Sequence, residues 1–322
     1  MRDVRTPTAE DVVAAAAVVA RHLPPTPVVP APELGAGVVL KLETLQPTGS
    51  FKVRGAIAAV AKAVDDDPTR RLVTASAGNH GLGVAFAATM FGATATVVVP
   101  ENASAAKVAA LSKFPITLVA KGANYDEAEA YALTLADDGA HFVSAYNDPD
   151  TIAGQGSIAL ELFDQLDDVR TIVVPIGGGG LISGIALAAT LRPDVSVIGV
   201  EAAASPAVLA ALAEEGATID DLPTLADGLA GNVEPGSVTI ELVRRYVDDI
   251  VSVSEDEIAD AIRLLVRQHG LVVEGAGAVG VAALRHGHVD ADADAAGGST
   301  AILLTGRNIA TATLRRVLRE GD

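Results

Sequence analysis

The chain has 322 residues, half of them hydrophobic, and 23 Lys and Arg against 41 Asp and Glu, for a net charge of -18 at pH 7. The acidic excess argues against nucleic acid and anionic membranes as partners, and the lack of cysteine excludes disulfides, thiol catalysis and thiolate metal sites. The length favours two domains, and no apolar run reaches the roughly 20 residues that span a bilayer.

The first predicted element is a helix that begins near Thr8 and contains the apolar segment 12–20. Glu10 and Asp11 precede this segment, where a secretory signal would carry basic residues, so we do not interpret it as a leader. A cytoplasmic location is therefore expected. A short apolar strand at 38–42 follows.

The next helix is predicted to begin within the stretch PTGSFKVRGA at 47–56, with Ser50 as its N-cap and Lys52 in its first turn. A cation is disfavoured at that end of a helix. The same field, together with burial, would lower the pKa of Lys52 and favour the free amine that Schiff-base chemistry requires. A solvated surface lysine is the alternative interpretation.

Strands and helices then alternate from residue 72 to residue 200, which is typical of right-handed βαβ units and of parallel sheets covered on both faces. The sequence thus predicts an α/β fold with a small domain, 72–147, inserted into a large domain made of 1–71 and 148–322. The predicted strands are 72–74, 95–99, 116–119, 141–143, 171–175 and 195–200, and the predicted helices are 81–91, 104–114, 125–137, 152–166 and 181–191.

The pattern loosens into helices and loops over 201–247 and becomes regular again near the C-terminus. We predict a mobile surface loop at 286–298, which is rich in Ala, Asp and Gly. The regular elements predicted here are the strands 250–253 and 301–305, the helices 255–268 and 276–285, and a last helix ending near residue 319.

Three turns between strands and helices carry candidate functional residues. The four glycines at 177–180 follow an apolar strand and precede a helix, so their backbone could close around a phosphate at the helix N-terminus. A flexible linker is the alternative. The spacing is neither GxGxxG nor a P-loop, which argues against a dinucleotide or a nucleoside triphosphate.

The turn SAGNHG at 76–81 offers donors suited to a carboxylate or a phenolate oxygen, and Thr305 ends a strand where its hydroxyl could face the cleft. The sequence alone is equally compatible with a plain turn residue at Asn79 and a structural histidine at His80. A strand-end threonine is also usually structural.

Together, a lysine amine, a phosphate cradle, a donor for a phenolic oxygen and a hydroxyl for a ring nitrogen form the recognition set for pyridoxal phosphate. In these motifs the chain resembles the threonine/serine dehydratase and serine racemase family over nearly its whole length. The matching motifs are PTGSFKVRGA at 47–56, SAGNHG at 76–81, AGQG at 153–156, GGGGL at 177–181 and ADG at 226–228.

The resemblance implies the fold of fold-type II pyridoxal-phosphate enzymes, which resemble the tryptophan synthase β subunit. Two open, mostly parallel twisted sheets are flanked by helices, and the cofactor lies in the cleft between them. It implies that Lys52 forms the Schiff base beside Phe51. The cofactor's other expected partners are Asn79 at the 3'-oxygen, Thr305 at the ring nitrogen, and Gly177, Gly178, Gly179, Gly180 and Leu181 at the phosphate.

The resemblance also places five residues around the substrate carboxylate, namely Ser76, Ala77, Gly78, Asn79 and His80. Glu274 matches an acidic residue that the family keeps near the ring, with helix capping as the alternative role. Glu201 matches one ligand of a divalent-cation site in some relatives, but 202–207 bring no second acid. We therefore expect no tight metal site, while a monovalent cation on carbonyl oxygens stays open.

The implied activity is dehydration and deamination of L-threonine, L-serine or both, with Lys52 as the base. Family racemases carry a serine where this chain has Ala77, so dehydration is expected over racemisation. The alternatives are a serine racemase, a dehydratase of a related β-hydroxy amino acid such as 3-hydroxyaspartate, and a non-catalytic amino-acid binding protein. Arg307 departs from the usual motif and could alter substrate preference. We expect a homodimer or homotetramer without a C-terminal regulatory domain.

Overall fold

The computed structural model describes residues 4–214, 216–220, 222–290 and 298–320. Its strands are β1 (Val28–Pro30), β2 (Val38–Leu42), β3 (Leu72–Ala75), β4 (Ala95–Val99), β5 (Thr117–Ala120), β6 (His141–Phe142), β7 (Val169–Pro175), β8 (Ser196–Ala202), β9 (Asp249–Val253) and β10 (Ser299–Leu304). Its α-helices are α1 (Ala9–Val19), α2 (Lys52–Asp66), α3 (Asn79–Phe91), α4 (Ala105–Leu111), α5 (Tyr125–Asp137), α6 (Pro149–Gln165), α7 (Gly180–Ala189), α8 (Ala207–Ala213), α9 (Val238–Tyr246), α10 (Glu255–His269), α11 (Gly275–Arg285) and α12 (Thr311–Arg319).

The strands form two separate sheets, as the α/β alternation predicts. The larger sheet has the order β1-β2-β10-β7-β8-β9, and within it only the edge pair of β1 and β2 is antiparallel. The smaller sheet has the order β5-β4-β3-β6 and is parallel throughout. Helices flank both sheets, and the four strands of the smaller one lie between β2 and β7 in the chain. The domain boundaries at 71/72 and 147/148 stay a prediction.

Predicted and observed elements agree closely, with β2, β4 and α5 at their predicted bounds. Strand β1 was not predicted, because VVP is too short to show an alternating pattern. The predicted N-cap at Ser50 is wrong, since Phe51 occupies the cap position without a side-chain cap bond and α2 begins at Lys52. Within the predicted loop at 286–298, residues 291–297 lie outside the described part of the chain.

Helices α2, α6 and α7 approach each other at backbone distance because glycines remove the side chains between them. A Cβ at Gly154 of α6 would lie 2.7 Å from the carbonyl oxygen of Arg54 in α2. A Cβ at Gly184 of α7 would lie 2.2 Å from the carbonyl oxygen of Ile152 in α6. The position of α2, and of the lysine at its start, is therefore fixed by direct helix contact.

A buried ionic cluster ties α2 to β2 and α6. The Arg54 guanidinium donates to both oxygens of Glu43, each at 2.8 Å, and forms an ion pair with Glu161 at 2.9 Å. Lys41 of β2 completes the cluster with a 2.5 Å contact to the other oxygen of Glu161. Two cations face two carboxylates, so the cluster is neutral overall, which is the condition for burying charge at this depth.

None of the helices in the described part of the chain is long and apolar enough to cross a membrane.

Candidate active site

The loop before Lys52 is joined directly to the end of β10. Ser50 pairs with Gly306 in an isolated antiparallel bridge. The Phe51 amide donates to the carbonyl oxygen of Thr305 at 3.0 Å, and the Arg307 amide donates to the carbonyl oxygen of Gly49 at 2.9 Å. The predicted lysine and the predicted ring-nitrogen partner, Thr305, are thus held together by backbone bonds although about 250 residues separate them.

The Lys52 side chain lies within the site and not on the open surface. Its Nζ donates to the carbonyl oxygen of Ala145 at 2.8 Å and lies 5.1 Å from the centroid of the Phe51 ring. Burial lowers the pKa of Lys52 to about 8, against the opposing attraction of Glu274. A solvated surface lysine is therefore the wrong interpretation, and a substantial fraction of the amine is neutral near pH 8.

The glycine turn is a fixed cradle and not a flexible linker. Gly179 has φ +84° and forms the N-cap of α7 without a side-chain cap bond, so the first amides of that helix stay free for an anion. A Cβ at Gly178 would lie 2.4 Å from Cγ of Tyr146. Thr239, fully buried, donates its hydroxyl to the carbonyl oxygen of Gly178 at 2.8 Å.

Asn79, the first residue of α3, is oriented by hydrogen bonds at both ends of its amide. Its Nδ2 donates to Glu274 Oε1 at 2.6 Å, and its Oδ1 accepts from Asn308 Nδ2 at 2.6 Å. Asn308 also donates to the carbonyl oxygen of Thr48 at 2.9 Å. An amide nitrogen carries two hydrogens, so one N–H of Asn79 remains for another acceptor.

Glu274 occupies the N-cap position of α11 but makes no side-chain cap bond there. Helix capping is therefore not its role in this structure. Its carboxylate faces Gly306, where a Cβ would lie 2.3 Å from Oε1, and the residue is 6% exposed. Burial raises the pKa of Glu274 to about 7, so the group is close to half protonated at neutral pH.

The turn at 76–81 uses part of its polar groups for its own structure. The Ser76 hydroxyl accepts from the Gly78 amide at 3.1 Å. The buried His80 imidazole contacts the carbonyl oxygen of Val143 through Nε2 at 3.0 Å, and burial lowers its pKa to about 3, with a contribution from the charge of Lys52. The His80 side chain is thus structural and neutral. The group of His80 that can bind a carboxylate is its backbone amide, at the start of α3.

Thr305 and Ala77 each follow a strand, Thr305 bonded through its carbonyl to the Phe51 amide and Ala77 two residues before Asn79. Thr305 is 3% exposed and follows β10 directly. Ala77 is half-buried and follows β3 in the turn before α3. Arg307 is exposed, with its amide bound to the lysine loop.

Glu201 is fully buried, and its carboxylate accepts from the amides of Val208 at 2.8 Å and Leu209 at 3.1 Å. Burial raises the pKa of Glu201 to about 7. Hydrogen bonds from two backbone amides thus satisfy the buried carboxylate of Glu201 without a metal ligand role. Among the described residues no group of three or more His, Asp or Glu is arranged to hold a metal ion.

Some contacts of the site are not evident in the sequence. Tyr146 packs against the glycine cradle, Thr239 braces it, Asn308 orients Asn79, and the carbonyl of Ala145 holds Lys52. Asn308 lies three residues after Thr305 in the same short motif, so the sequence could have indicated that it belongs to the candidate site. The others lie on segments without any motif.

These residues fit pyridoxal phosphate on structural grounds. Gly178 and Gly180 leave backbone amides uncovered at the start of α7, because a side chain at either would collide with Tyr146. The Lys52 loop is bonded to the end of β10, and Asn308, which follows that strand, is bonded to Asn79 after β3. The lysine, the spare N–H of Asn79 and the carboxyl ends of strands from both sheets are thus brought together, and such strand ends commonly form ligand sites.

The chain is similar to known proteins over most of its length. Residues 19–306 match the family model described as pyridoxal-phosphate dependent enzyme. The L-threonine ammonia-lyase of Thermotoga maritima is 44% identical over 290 residues, which are 89% of this chain and 71% of that protein. The catabolic L-threonine dehydratase of Escherichia coli K12 is 41% identical over 256 residues, or 79% of this chain and 78% of that protein. The structure of maize serine racemase superposes with a TM-score of 0.88 at 30% identity, covering 98% of each chain.

Proposed function

The chain belongs to the pyridoxal-phosphate-dependent enzymes, and from that premise we propose that it is an ammonia-lyase that converts L-threonine, L-serine or both into a 2-oxo acid and ammonia. The observation that carries the proposal is Lys52. Its amine lies at the start of a helix, with a lowered pKa, next to an anion cradle and an oriented amide. These are the groups that amino-acid chemistry on this cofactor requires.

Each cofactor-contacting role is assigned to a group that the structure leaves available. The amides of 177–181 would bind the phosphate, and the spare N–H of Asn79 would bind the phenolic oxygen. The hydroxyl of Thr305 would meet the ring nitrogen, with Phe51 beside the lysine. When bound, pyridoxal phosphate supplies the electron sink that acidifies the Cα–H bond of an amino acid.

The chain's own groups then bind the substrate and move a proton. The free amides at the start of α3, from Asn79 and His80, bind the substrate carboxylate. The free amine of Lys52 removes the proton from Cα. A hydroxyl at the ring nitrogen does not hold that nitrogen protonated as a carboxylate would, and this favours loss of the β-hydroxyl over a long-lived negative charge at Cα.

Elimination is favoured over racemisation because Ala77 presents a methyl group where a second base would have to lie. A methyl group takes no proton, so a proton removed by Lys52 is not replaced from the opposite face. Net turnover consumes one hydroxy amino acid and yields one oxo acid and one ammonia.

The test is an assay of oxo acid and ammonia across L-serine, L-threonine and 3-hydroxyaspartate, with chiral analysis of the remaining amino acid. We expect equimolar oxo acid and ammonia from serine or threonine with little inversion. A Lys52→Ala variant should lack the visible absorbance of the Schiff base. Interconversion of enantiomers without oxo acid would contradict the proposal and favour a racemase.

We also propose that the enzyme works in the cytoplasm as a homodimer or homotetramer, and that any cation bound near Glu201 is monovalent. The family resemblance and the acidic sequence support the first point. The single carboxylate at Glu201, already bonded to two amides, supports the second. Light scattering tests the oligomeric state, and a comparison of activity in potassium and in tetramethylammonium salts tests the cation.

A further inference from the structure

The carbonyl oxygen of Ala145 receives two side chains. Lys52 donates its amine at 2.8 Å, and Gln155 donates its Nε2 at 3.4 Å. Gln155 is the polar residue of the AGQG segment at 153–156, to which the cofactor and substrate contacts above give no role. The lysine and the glutamine therefore meet at one acceptor.

Gln155 is placed there by the glycine contacts of its helix. The residue is fully buried in α6, and its neighbour Gly154 lets α6 approach the backbone of α2. Gly55 follows Lys52 by three residues and so lies on the same face of α2. A Cβ at Gly55 would lie 3.0 Å from Cγ of Gln155, so the missing side chain makes room for the glutamine below the lysine.

The other end of this amide is unpaired. Gln155 Oε1 is buried and has no hydrogen-bond partner among the described residues. A buried amide oxygen without a donor destabilises a protein unless some state of the molecule supplies that donor. After removing a proton from Cα, the lysine nitrogen carries three N–H donors, of which Ala145 takes one.

We propose that Gln155 is a positioning residue whose amide oxygen, with the carbonyl of Ala145, forms a docking site for the amine of Lys52 whenever that amine is released from the cofactor. The inference rests on the proposed function. Both acceptors are uncharged oxygens, and bonds from an ammonium are about twice as strong as bonds from an amine. The site therefore binds the proton-carrying form of Lys52 more tightly and keeps it in place between proton transfers.

Among the described residues, Glu274 at the start of α11 acts on the charge of Lys52, and Lys52 in turn acts on the buried His80 in α3. His80 stays neutral because burial lowers its pKa to about 3. Glu274 favours the charged lysine. Neither is altered by a change at Gln155, so the contribution of Gln155 can be measured by difference.

The experiment titrates Lys52 in the enzyme freed of cofactor. Reductive methylation with formaldehyde and cyanoborohydride is followed across pH by mass spectrometry of the Lys52 peptide, which requires neither cofactor nor catalysis. Gln155→Met, of similar size but without an amide, should lower the midpoint by about one pH unit, and Gln155→Glu should raise it by at least as much.

Gln165→Met is the matched control, because Gln165 lies on the same helix and accepts a hydrogen bond from a different lysine, Lys41. It should leave the Lys52 midpoint unchanged. An unchanged midpoint in Gln155→Met would overturn the proposal whatever Gln155→Glu shows, because a carboxylate raises the pKa of any nearby lysine. If Gln155→Met does not fold, Gln155→Leu takes its place with the same expected lowering. Because no turnover is measured, an enzyme with another reaction would still give the shifts.

Discussion

At the scale of single residues, burial tunes the chemistry of the site more than ion pairing does. Lys52, Glu274 and His80 lie close together, and burial is the largest cause of the pKa shift of each. All three shifts favour the neutral form. Near neutral pH the amine of Lys52 and the carboxyl group of Glu274 can therefore gain or lose a proton, whereas the imidazole of His80 stays neutral.

Ala77 is expected to decide between elimination and inversion. In the proposed mechanism Ala77 lies on the face opposite Lys52, so Ala77→Ser would add a hydroxyl there and racemisation of L-serine should rise at least about tenfold. Chiral chromatography of serine during turnover measures it. Ala77→Gly, which changes size without adding a hydroxyl, is the control and should show no such rise.

Glu274 should make the stability of the protein depend on pH. Its pKa is raised to about 7 in the folded state, so between the unfolded value and 7 the folded protein binds the additional proton. The stabilising effect of that proton is complete below the unfolded pKa and is lost as pH rises through 7. Glu274→Gln keeps an acceptor for Asn79 but has no titrating proton, so its stability should not decrease with pH for this reason.

The free energy of unfolding of the variant, relative to that of the wild-type protein, should therefore be about 2 kcal/mol higher at pH 8 than at pH 5. Urea unfolding at both pH values measures the difference. Glu201, whose pKa burial also raises to about 7, remains in both proteins and cancels. An equal difference at pH 5 and pH 8 would contradict the prediction.

At the scale of elements, helix α2 is the part on which the site depends. Its first residue is Lys52, and its buried face is held by the glycine contacts with α6 and by the cluster of Arg54, Glu43, Glu161 and Lys41. The sequence predicted the helix and its lysine from local signals. It could not predict the cluster, because Glu161 and Arg54 are about a hundred residues apart and meet only through packing.

Removing Arg54 should destabilise the fold strongly. Arg54→Met leaves the fully buried carboxylate of Glu43 without its bidentate partner, and breaking a buried pair in this way costs about 3–5 kcal/mol. Arg244→Met is the matched control, since Arg244 pairs with Glu241 on the exposed face of α9 and should cost less than about 1 kcal/mol. Urea unfolding compares the two, and similar losses would show that the cluster is dispensable.

The site turns were predicted less completely than the elements. Strand ends and glycines predicted the turns that form the candidate site, because these signals are local. The direction of the His80 side chain, the pairing of Asn79 with Glu274 and the carbonyl of Ala145 depend on contacts across as many as 195 residues. No pattern within one turn encodes them.

At the scale of the whole molecule, an ion pair in the described part of the chain joins the helices of the smaller sheet to a loop between two strands of the larger one. Lys107 of α4, which packs on the smaller sheet, lies 3.2 Å from Asp227, in the loop before α9 of the large domain. Both charges act on Glu274, Asp227 raising and Lys107 lowering its pKa. The pair therefore lies on the exposed surface within electrostatic range of Glu274.

Lys107→Ala should raise KM a few-fold in low salt with little change in kcat, because the contact between the two sides is lost. Both partners are exposed, so the effect should be below about 1 kcal/mol and should vanish in 0.5 M salt. Steady-state kinetics at two salt concentrations measure it. Lys113→Ala, a lysine just after α4, should leave KM unchanged.

The pairing of the lysine loop with the end of β10 also sets when the site can form during synthesis. The Lys52 loop is translated about 250 residues before its backbone partners at Thr305, Gly306 and Arg307. Contacts of such long sequence separation form late in folding. Until those partners are added, Lys52 lacks the burial that lowers its pKa and remains an ordinary protonated lysine. Pairing of its loop with the end of β10 is therefore the event that both assembles the proposed site and activates the amine.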